Sequence, residues 1–188
     1  MPIRLPDGLM VSVSGVRGRV GDPLTPELMA GIAAALGAHL REVEDGTTVC
    51  LGRDSRVSGP MYARAVTAGL QSVGCDVVDL GVVPTPTLLL SVAHHEAIGA
   101  IGVTASHNPA EWNALKLVSS EGIFLDSDRS QRFRDYLAER DPPRAAWNEL
   151  GTVRSDDDAW ARHRERILAL PLIEPERIRA AGLKIAID

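Results

Sequence analysis

Two near-continuous apolar runs constrain the fold of this chain more than any other feature. They span residues 75–81 and 97–103, and turn-forming or polar residues bound each of them. Strands without polar alternation are typical of a sheet that is covered on both faces. A further strand is predicted at 47–52, and helical segments separate the three strands. The pattern therefore predicts an α/β fold, with three α/β/α layers and a mixed, largely parallel sheet.

The helices between these strands begin with clear start signals. Thr25 is suited to an N-cap and Pro26 to the first helical position, and leucines and isoleucines then recur at a four-residue spacing to about Glu44. Two further helices are predicted at 58–73 and 84–95, each beginning at a proline-bearing segment. Each predicted helix is followed by a predicted strand, as in a chain that winds back and forth across one sheet.

The remaining elements are shorter and more polar. Residues 10–13 predict a short strand, and the glycine-rich stretch that follows, through residue 21, predicts a loop. The three aspartates at 156–158 are interpreted as a helix start signal on a solvated face. Beyond residue 112 the sequence predicts a hairpin with strands at 114–118 and 122–125. It then predicts helices at 126–140, 157–170 and 175–181, and a final strand at 183–188.

The expected domain organisation follows from these elements. Residues 1–150 are predicted to form a catalytic α/β domain, with a polar, proline-bearing margin from residue 141 onward. Residues 151–188 are expected to be a connecting helix and the first strand of a truncated second domain of similar kind. A strand that begins at the last residues of the chain has no partner to pair with, which favours this interpretation.

Composition limits the function classes. The chain has 188 residues, is 45% hydrophobic and carries a net charge of −5, which argues against nucleic acid as the main partner. No stretch predicts a signal peptide or a membrane span, so no membrane partner and a cytoplasmic location are expected. Cys50 and Cys75 lie in apolar runs and are predicted to be reduced, buried thiols rather than a disulfide. The oligomeric state is not readable from the sequence.

The candidate chemistry lies where the strand at 97–103 ends. Thr104-Ala105-Ser106-His107-Asn108-Pro109 follows it at once. Ligands gather at the carboxyl ends of strands in open parallel sheets, so Ser106 is expected to present its hydroxyl outward beside His107. Lys116 follows ten residues later. The plain alternative is a turn in which serine or asparagine bonds its own backbone.

Two glycine–arginine segments, at 15–18 and 52–56, suggest what this hydroxyl does. Glycine lets backbone amides approach an anion, and arginine offers a planar fork for phosphate oxygens. Their combination with a serine and a lysine suggests phosphoryl transfer through the serine, although a solvated surface position is the commoner fate of any one arginine by itself. No GxSxG elbow or GxxxxGK[ST] loop is present, and no carboxylate is placed to complete a hydrolase triad.

Four segments in register across residues 14–117 resemble the α-D-phosphohexomutases, which include phosphoglucomutases, phosphomannomutases and phosphoglucosamine mutases. The serine loop, with Asn113 and Lys116 after it, resembles the active-site loop of that family. The other three segments are Ser14-Gly15-Val16-Arg17-Gly18, Gly52-Arg53-Asp54-Ser55-Arg56 and Pro84-Thr85-Pro86-Thr87. One departure is Asn113-Ala114, where the family usually has Asn-Gly.

The resemblance implies roles for these residues. Ser106 would carry the transferable phosphoryl group, His107, Lys116 and Arg17 would assist proton transfer and steady that group, and phosphate or substrate contacts would come from Arg53, Asn108 and Asn113. A bisphosphorylated sugar would be the intermediate between the 1- and 6-phosphates of a hexose. Mg²⁺ would bridge the phosphoserine and an aspartate-rich loop, which this sequence lacks.

Several points stay open at this level. Because the metal loop and the sugar-selecting loop are absent, the 188-residue chain by itself is expected to be inactive. Which hexose phosphate is used is not assigned. A non-catalytic phosphosugar-binding module would need the arginines but not Ser106. A serine hydrolase is the weaker rival, and it would react with acyl-directed probes at Ser106.

Overall fold

A computed structural model describes residues 2–13 and 15–186. It contains one seven-stranded sheet in the order β1-β2-β6-β5-β3-β4-β7. The strands are β1 Met10–Ser12, β2 Gly15–Arg19, β3 Thr48–Arg53, β4 Asp76–Val82, β5 Gly99–Val103, β6 Trp112–Ser119 and β7 Val153–Ser155. The helices are α1 Pro26–Val43, α2 Gly59–Gln71, α3 Thr85–His94, α4 Ser127–Glu139, α5 Ala159–Leu168 and α6 Pro175–Ala180.

The sheet is mixed, with a parallel half and an antiparallel half. The parallel half joins β5, β3, β4 and β7 through three parallel pairings. The antiparallel half joins β1, β2, β6 and β5 through three antiparallel pairings. The predicted α/β class and mixed sheet are confirmed, and the antiparallel share is larger than the sequence suggested. The carboxyl ends of β3 and β5 lie side by side, since Arg53 pairs with Val103.

Helices cover both faces of the sheet. Helices α1, α2 and α4 pack on one face over a core that includes Leu36, Leu51 and Leu115, all fully buried. Helices α3 and α5 lie on the other face over a smaller core around Val92 and Val118. Burial on both faces is the physical reason that β4 and β5 are apolar almost without interruption.

Local sequence signals account for the first helix. The Thr25 hydroxyl accepts a hydrogen bond from the Leu28 backbone N–H at 3.2 Å, and Pro26 is the first helical residue. The helix ends at Val43, close to the predicted end at Glu44. This cap satisfies one of the backbone donors that the first turn leaves without an intrahelical acceptor.

Both cysteines are free and buried, as predicted. Burial raises the pKa of the Cys50 thiol to about 12 and that of the Cys75 thiol to about 11. Neither thiol is therefore ionised near neutral pH, and neither is suited to be a nucleophile.

The structure corrects two local predictions and leaves a third open. The glycine-rich stretch is not a loop, because residues 15–19 form β2, while Ser14 lies outside the described residues. The hairpin partner at 122–125 is not a strand, and it contributes only one bridge, from Val118 to Phe124. Residues 183–186 lie in no strand, and residues 187 and 188 lie outside the described residues, so the final strand stays a prediction.

Strand β7 was not predicted, because its three residues are all exposed and stand in a polar stretch. It pairs in parallel with β4, so residues 153–155 belong to this sheet. The expected division of the chain at residue 150 stays a prediction.

A polar cluster holds the segment after β7 against α3. Asp156 accepts hydrogen bonds from His95 Nε2 at 2.7 Å and from both terminal nitrogens of Arg162. Arg154 Nη2 lies 3.1 Å from the other ring nitrogen of His95. The side chains of His95 and Asp156 are each 8% exposed. The expectation that residues 156–158 form a solvated face is therefore wrong for Asp156, which is a buried structural acceptor.

These contacts also set the protonation of the cluster. The hydrogen bond from Arg162 is the main reason that the pKa of Asp156 lies well below its usual range. Burial is the main reason that the pKa of His95 is lowered. We therefore assign a neutral His95 that donates from Nε2 to Asp156 and accepts at Nδ1 from Arg154.

Candidate active site

The loop that follows β5 presents one hydroxyl to solvent. Ser106 is exposed, and its φ of +55° lies in the left-handed region that non-glycine residues rarely adopt. The Ser106 N–H donates to Thr104 Oγ1 at 3.3 Å, and the Asn108 N–H donates to the Ala105 carbonyl at 3.1 Å. The loop thus contains the local turn contacts that its sequence suggested, and it also carries an outward-facing serine.

His107 lies beside this hydroxyl. The distance from Ser106 Oγ to His107 Nδ1 is 3.5 Å, the outer limit for a hydrogen bond. Both side chains are exposed, so the imidazole is free to turn toward a group bound at the hydroxyl. This arrangement permits proton transfer between the hydroxyl and the imidazole, although the two groups are not held in a short hydrogen bond.

Arg17 reaches the loop from the antiparallel half of the sheet. It lies on β2, paired with Ala114 of β6, and its Nη1 donates to Asn108 Oδ1 at 2.9 Å. Glycine at position 15 makes this pairing possible, because a Cβ there would lie 1.9 Å from the Leu115 carbonyl oxygen. The close approach of β2 to β6 therefore brings a guanidinium to the serine loop.

Arg56 reaches the same loop from the parallel half. All five of its N–H groups have acceptors. Nε donates to Asp54 Oδ2 at 3.1 Å, and the two terminal nitrogens donate to backbone carbonyls of the serine loop. These carbonyls belong to Ser106 at 2.9 Å, Asn108 at 2.7 Å, Pro109 at 2.7 Å and Trp112 at 3.1 Å.

The sequence suggested an anion-binding role for both arginines of the segment 52–56. In the structure their guanidinium groups have different partners. Arg56 has no N–H left for a phosphate oxygen. The signal that would have identified its role is the aspartate two residues earlier, since Asp54 Oδ1 also accepts the Arg56 backbone N–H at 3.0 Å. An arginine whose direction is fixed in this way is suited to positioning rather than to ligand binding.

Arg53 and Asn113 do not lie at the surface of the serine loop. The Arg53 guanidinium bonds the Asp54 carbonyl at 3.3 Å and lines a groove beside α2 with Arg64 and Asp79. Asn113 is fully buried, and its side-chain nitrogen donates to Ser58 Oγ at 2.8 Å. Their predicted phosphate contacts stay predictions, and in this structure Asn113 joins β6 to Ser58, the residue before α2.

Lys116 is partly exposed on β6. Its Nζ lies 5.1 Å from the centroid of the Phe124 ring, a cation–π contact. Lys116 also lines a shallow surface depression together with Arg17. Two of the predicted cationic residues therefore border one small region over strands β2 and β6.

The described residues do not form a metal site by themselves. No group of three or more metal-ligating histidine, cysteine, aspartate or glutamate side chains occurs among residues 2–13 and 15–186. Ser106 would contribute one oxygen, through a phosphate. In the same described part of the chain, no helix is long and apolar enough to cross a membrane.

Comparison with known proteins matches this arrangement to one family. The family model for phosphoglucomutase/phosphomannomutase, alpha/beta/alpha domain I, matches residues 9–144. A phosphoglucomutase/phosphomannomutase of Thermococcus kodakarensis is 40% identical over 151 residues, which cover 80% of this chain and 33% of the relative. A probable phosphoglucosamine mutase of Methanopyrus kandleri is 40% identical over 181 residues, which cover 96% of this chain and 38% of the relative.

Solved structures agree with the sequence matches. A putative phosphomannomutase from Thermus thermophilus superposes with a TM-score of 0.72 at 28% identity, over 90% of this chain and 37% of that one. A phosphoglucomutase/phosphomannomutase family protein from Burkholderia thailandensis gives 0.71 at 29% identity, over 86% and 36%. The chain spans about a third of the length of these relatives. Because the family model covers more than half of the chain and the fold agrees, this chain belongs to the phosphoglucomutase/phosphomannomutase family, and residues 9–144 are its α/β/α domain I.

Proposed function

We propose that this chain is the phosphoserine-bearing domain of a phosphohexomutase, an isomerase that moves a phosphoryl group between the 1- and 6-positions of a hexose phosphate. One observation carries the proposal: Ser106 is exposed at the carboxyl edge of the sheet, on a loop that Arg17 and Arg56 reach from opposite sides. The relatives are named phosphoglucomutase/phosphomannomutase and phosphoglucosamine mutase, and the choice of sugar stays open.

The proposed reaction has two transfers. In the first, the bond between phosphorus and Ser106 Oγ breaks, and a hexose hydroxyl oxygen forms a new bond to phosphorus while it loses its proton. The product is a hexose bisphosphate, and Ser106 regains a proton. After the sugar reorients, Ser106 Oγ loses its proton and bonds to the other phosphorus, while the bond from that phosphorus to the sugar oxygen breaks and the sugar oxygen takes up a proton. Such transfers depend mainly on positioning and on stabilising negative charge.

The described residues divide this work between them. His107 lies next to the hydroxyl and is placed to take or give its proton. Arg17 supplies positive charge at the loop, where Asn108 directs it through the bond at Oδ1, and Lys116 would add a second positive charge from the depression that it lines with Arg17. Mg²⁺ is the expected cofactor and would supply further charge neutralisation. Its remaining ligands would have to come from outside the described residues, so no step is derived through it.

The test uses the chain joined to the remaining two thirds of the Thermococcus kodakarensis relative, because the chain matches that protein over only 33% of its length. We expect mutase turnover with a hexose 1-phosphate in this fusion. Ser106→Ala should reduce turnover to background, since the acceptor oxygen is gone. Ser127→Ala is the matched control, because Ser127 is an exposed serine at the start of α4.

Two outcomes would overturn the proposal. A fusion that is equally active with Ser106→Ala would show that the serine is not the phosphoryl carrier, as the binding-module alternative requires. Labelling of Ser106 by an acyl-directed probe, with hydrolysis of an ester, would favour the hydrolase alternative.

A further inference from the structure

The guanidinium of Arg56 is placed beneath the serine loop as a structural part of the site. Its two terminal nitrogens donate four hydrogen bonds to backbone carbonyls spread over residues 106–112. These carbonyls run from Ser106, near the middle of the loop, to Trp112, the first residue of β6, so a single planar group ties this part of the loop to the start of β6. We propose that Arg56 is a positioning residue for phosphoryl transfer, which holds the Ser106 hydroxyl in its presented geometry without touching the phosphoryl group.

Geometry argues that Arg56 cannot serve as a phosphate ligand in this state. An arginine has five N–H donors, and each donor of Arg56 already has an acceptor. The side chain is only 14% exposed, so water does not readily replace these partners. A phosphate oxygen would have to displace a loop carbonyl, which would dismantle the loop that carries the serine.

The strained backbone at Ser106 explains why the loop needs the Arg56 hydrogen bonds, which we call the clamp. A residue other than glycine at φ +55° is held in a conformation that costs free energy unless its surroundings impose it. The Ser106 carbonyl itself accepts from Arg56 at 2.9 Å. Because the peptide unit is planar, fixing this carbonyl also fixes the direction of the His107 N–H. The clamp thus acts on the residue that carries the nucleophile and on the next one.

Asp54 fixes the clamp in turn. Its carboxylate accepts the Arg56 backbone N–H at 3.0 Å with one oxygen and Nε at 3.1 Å with the other. The Asp54 N–H donates to the Val103 carbonyl at 3.1 Å, at the end of β5. The chain of contacts therefore runs from the rigid ends of β3 and β5, through Asp54 and Arg56, to Ser106.

Because the clamp depends on several directed hydrogen bonds, we expect that a positive charge at position 56 is not enough to hold the loop. Lysine keeps the positive charge but has one nitrogen, which cannot reach four carbonyls that the planar fork spans. Arg56→Lys should therefore behave almost like Arg56→Gln. Arg129→Lys is the matched control, because Arg129 is also paired with carboxylates, those of Glu121 and Asp126, and it lies on α4.

The inference rests on the proposed function, so its kinetic test uses the fusion described above, with hexose 1-phosphate as the varied substrate. We expect Arg56→Lys to lower kcat by about 10- to 100-fold with KM changed less than about threefold, as is typical when a reacting group is misplaced. Asp54→Asn should lower kcat by a smaller factor. It is the milder variant if Arg56 substitutions unfold the fusion, which circular dichroism would detect.

A second measurement does not depend on activity. Amide hydrogen exchange of the 188-residue chain should be faster in the peptide that covers residues 104–112 in Arg56→Lys, and unchanged in α1 and in the Arg129→Lys control. An unchanged kcat in Arg56→Lys, or an unchanged exchange rate in that peptide, would overturn the inference. A raised KM with unchanged kcat would instead make Arg56 a substrate-binding residue. If Ser106→Ala keeps full activity, the proposed function fails, and the exchange measurement still decides whether the clamp exists.

Discussion

Two polar clusters in this domain contain an arginine paired with an aspartate, and they serve different ends. In the cluster around Asp156, the carboxylate lies at the centre, and His95 and Arg162 donate to it. In the serine loop, the guanidinium of Arg56 lies at the centre, and the groups it holds are backbone carbonyls. The first cluster leaves no reactive group exposed, whereas the second leaves the Ser106 hydroxyl open to solvent.

This difference gives a criterion that distinguishes structural from functional polar residues in this fold. A cluster whose members satisfy one another contributes to stability and offers nothing to a ligand. A cluster whose hydrogen bonds hold a strained loop with an exposed nucleophile is suited to a catalytic role. The two clusters should therefore respond differently to mutation, one in stability and the other in rate.

The largest expected effect is on stability and comes from the Asp156 cluster. Asp156→Ala removes the acceptor of a buried histidine and an arginine, and should lower the free energy of unfolding by about 3 kcal/mol. Urea unfolding of the 188-residue chain measures this. Phosphoryl transfer by the folded fusion should be unchanged, and a matching loss of rate would break the contrast between the clusters.

The next effect concerns the backbone of the serine loop. Ser106→Thr keeps the hydroxyl, but a β-branched residue is strongly disfavoured at φ +55°. We expect kcat of the fusion to fall by about 30- to 100-fold, because the loop must shift to relieve the clash. Steady-state kinetics measures this, with Ser127→Thr as the control. Full activity in Ser106→Thr would mean that the left-handed geometry is not needed.

A smaller effect is expected at Asn108. Asn108→Ala removes the acceptor that directs Arg17, while the Asn108 backbone bonds to Ala105 and Arg56 remain. Transfer should slow by about tenfold, since a hydrogen bond to a charged group is worth about 1.5–3 kcal/mol and part of it is recovered by water. Kinetics of Asn108→Ala and Arg17→Gln, alone and together, tests this. Effects that multiply in the double variant would show that the two residues act independently.

The smallest effect is the pH dependence of the Asp156 cluster. The pKa of His95 is lowered from 6.5, so the unfolded chain binds its proton more readily than the folded chain. The stability from this group is therefore fully present above pH 6.5 and is lost as pH falls through the folded pKa. The groups that face His95 are Asp156, Arg154 and the neighbouring His94.

Urea midpoints between pH 8 and pH 5 measure this effect. The wild-type chain should lose stability across that range, and His95→Gln should lose less. His39→Gln is a useful second variant, because burial also lowers the pKa of His39 and contributes with the same sign. A steeper pH dependence in His95→Gln than in the wild type would contradict the assignment of a neutral His95.

The sequence identified the parts of the fold whose signals are local and periodic. The apolar runs located β4 and β5, and the Thr25-Pro26 signal located α1. Strand β7 could not be found in this way, because its residues are exposed and polar neighbours surround them, so that only the pairing with β4 reveals the strand. The same holds for β2, whose glycines suggest a loop until β6 is placed beside them.

For the candidate site, the sequence likewise predicted which segments meet but not the contacts of each side chain. The position of Ser106 follows from strand order, and the arrival of both arginine-bearing segments at its loop follows from the carboxyl-edge rule. The different roles of Arg53 and Arg56 were not predicted, although Asp54 between them is a local signal for the direction of Arg56. The direction of Arg56 is set by the Asp54 turn, and that of Arg53 by alternation along β3.

The most direct measurement of the central claim is the site of phosphorylation. The fusion is incubated with a hexose 1,6-bisphosphate and Mg²⁺, and the phosphoryl group is mapped by tandem mass spectrometry. One phosphoryl group is expected, on Ser106, and none in Ser106→Ala. A phosphoryl group on another residue, or an active fusion in which Ser106 is never modified, would contradict it.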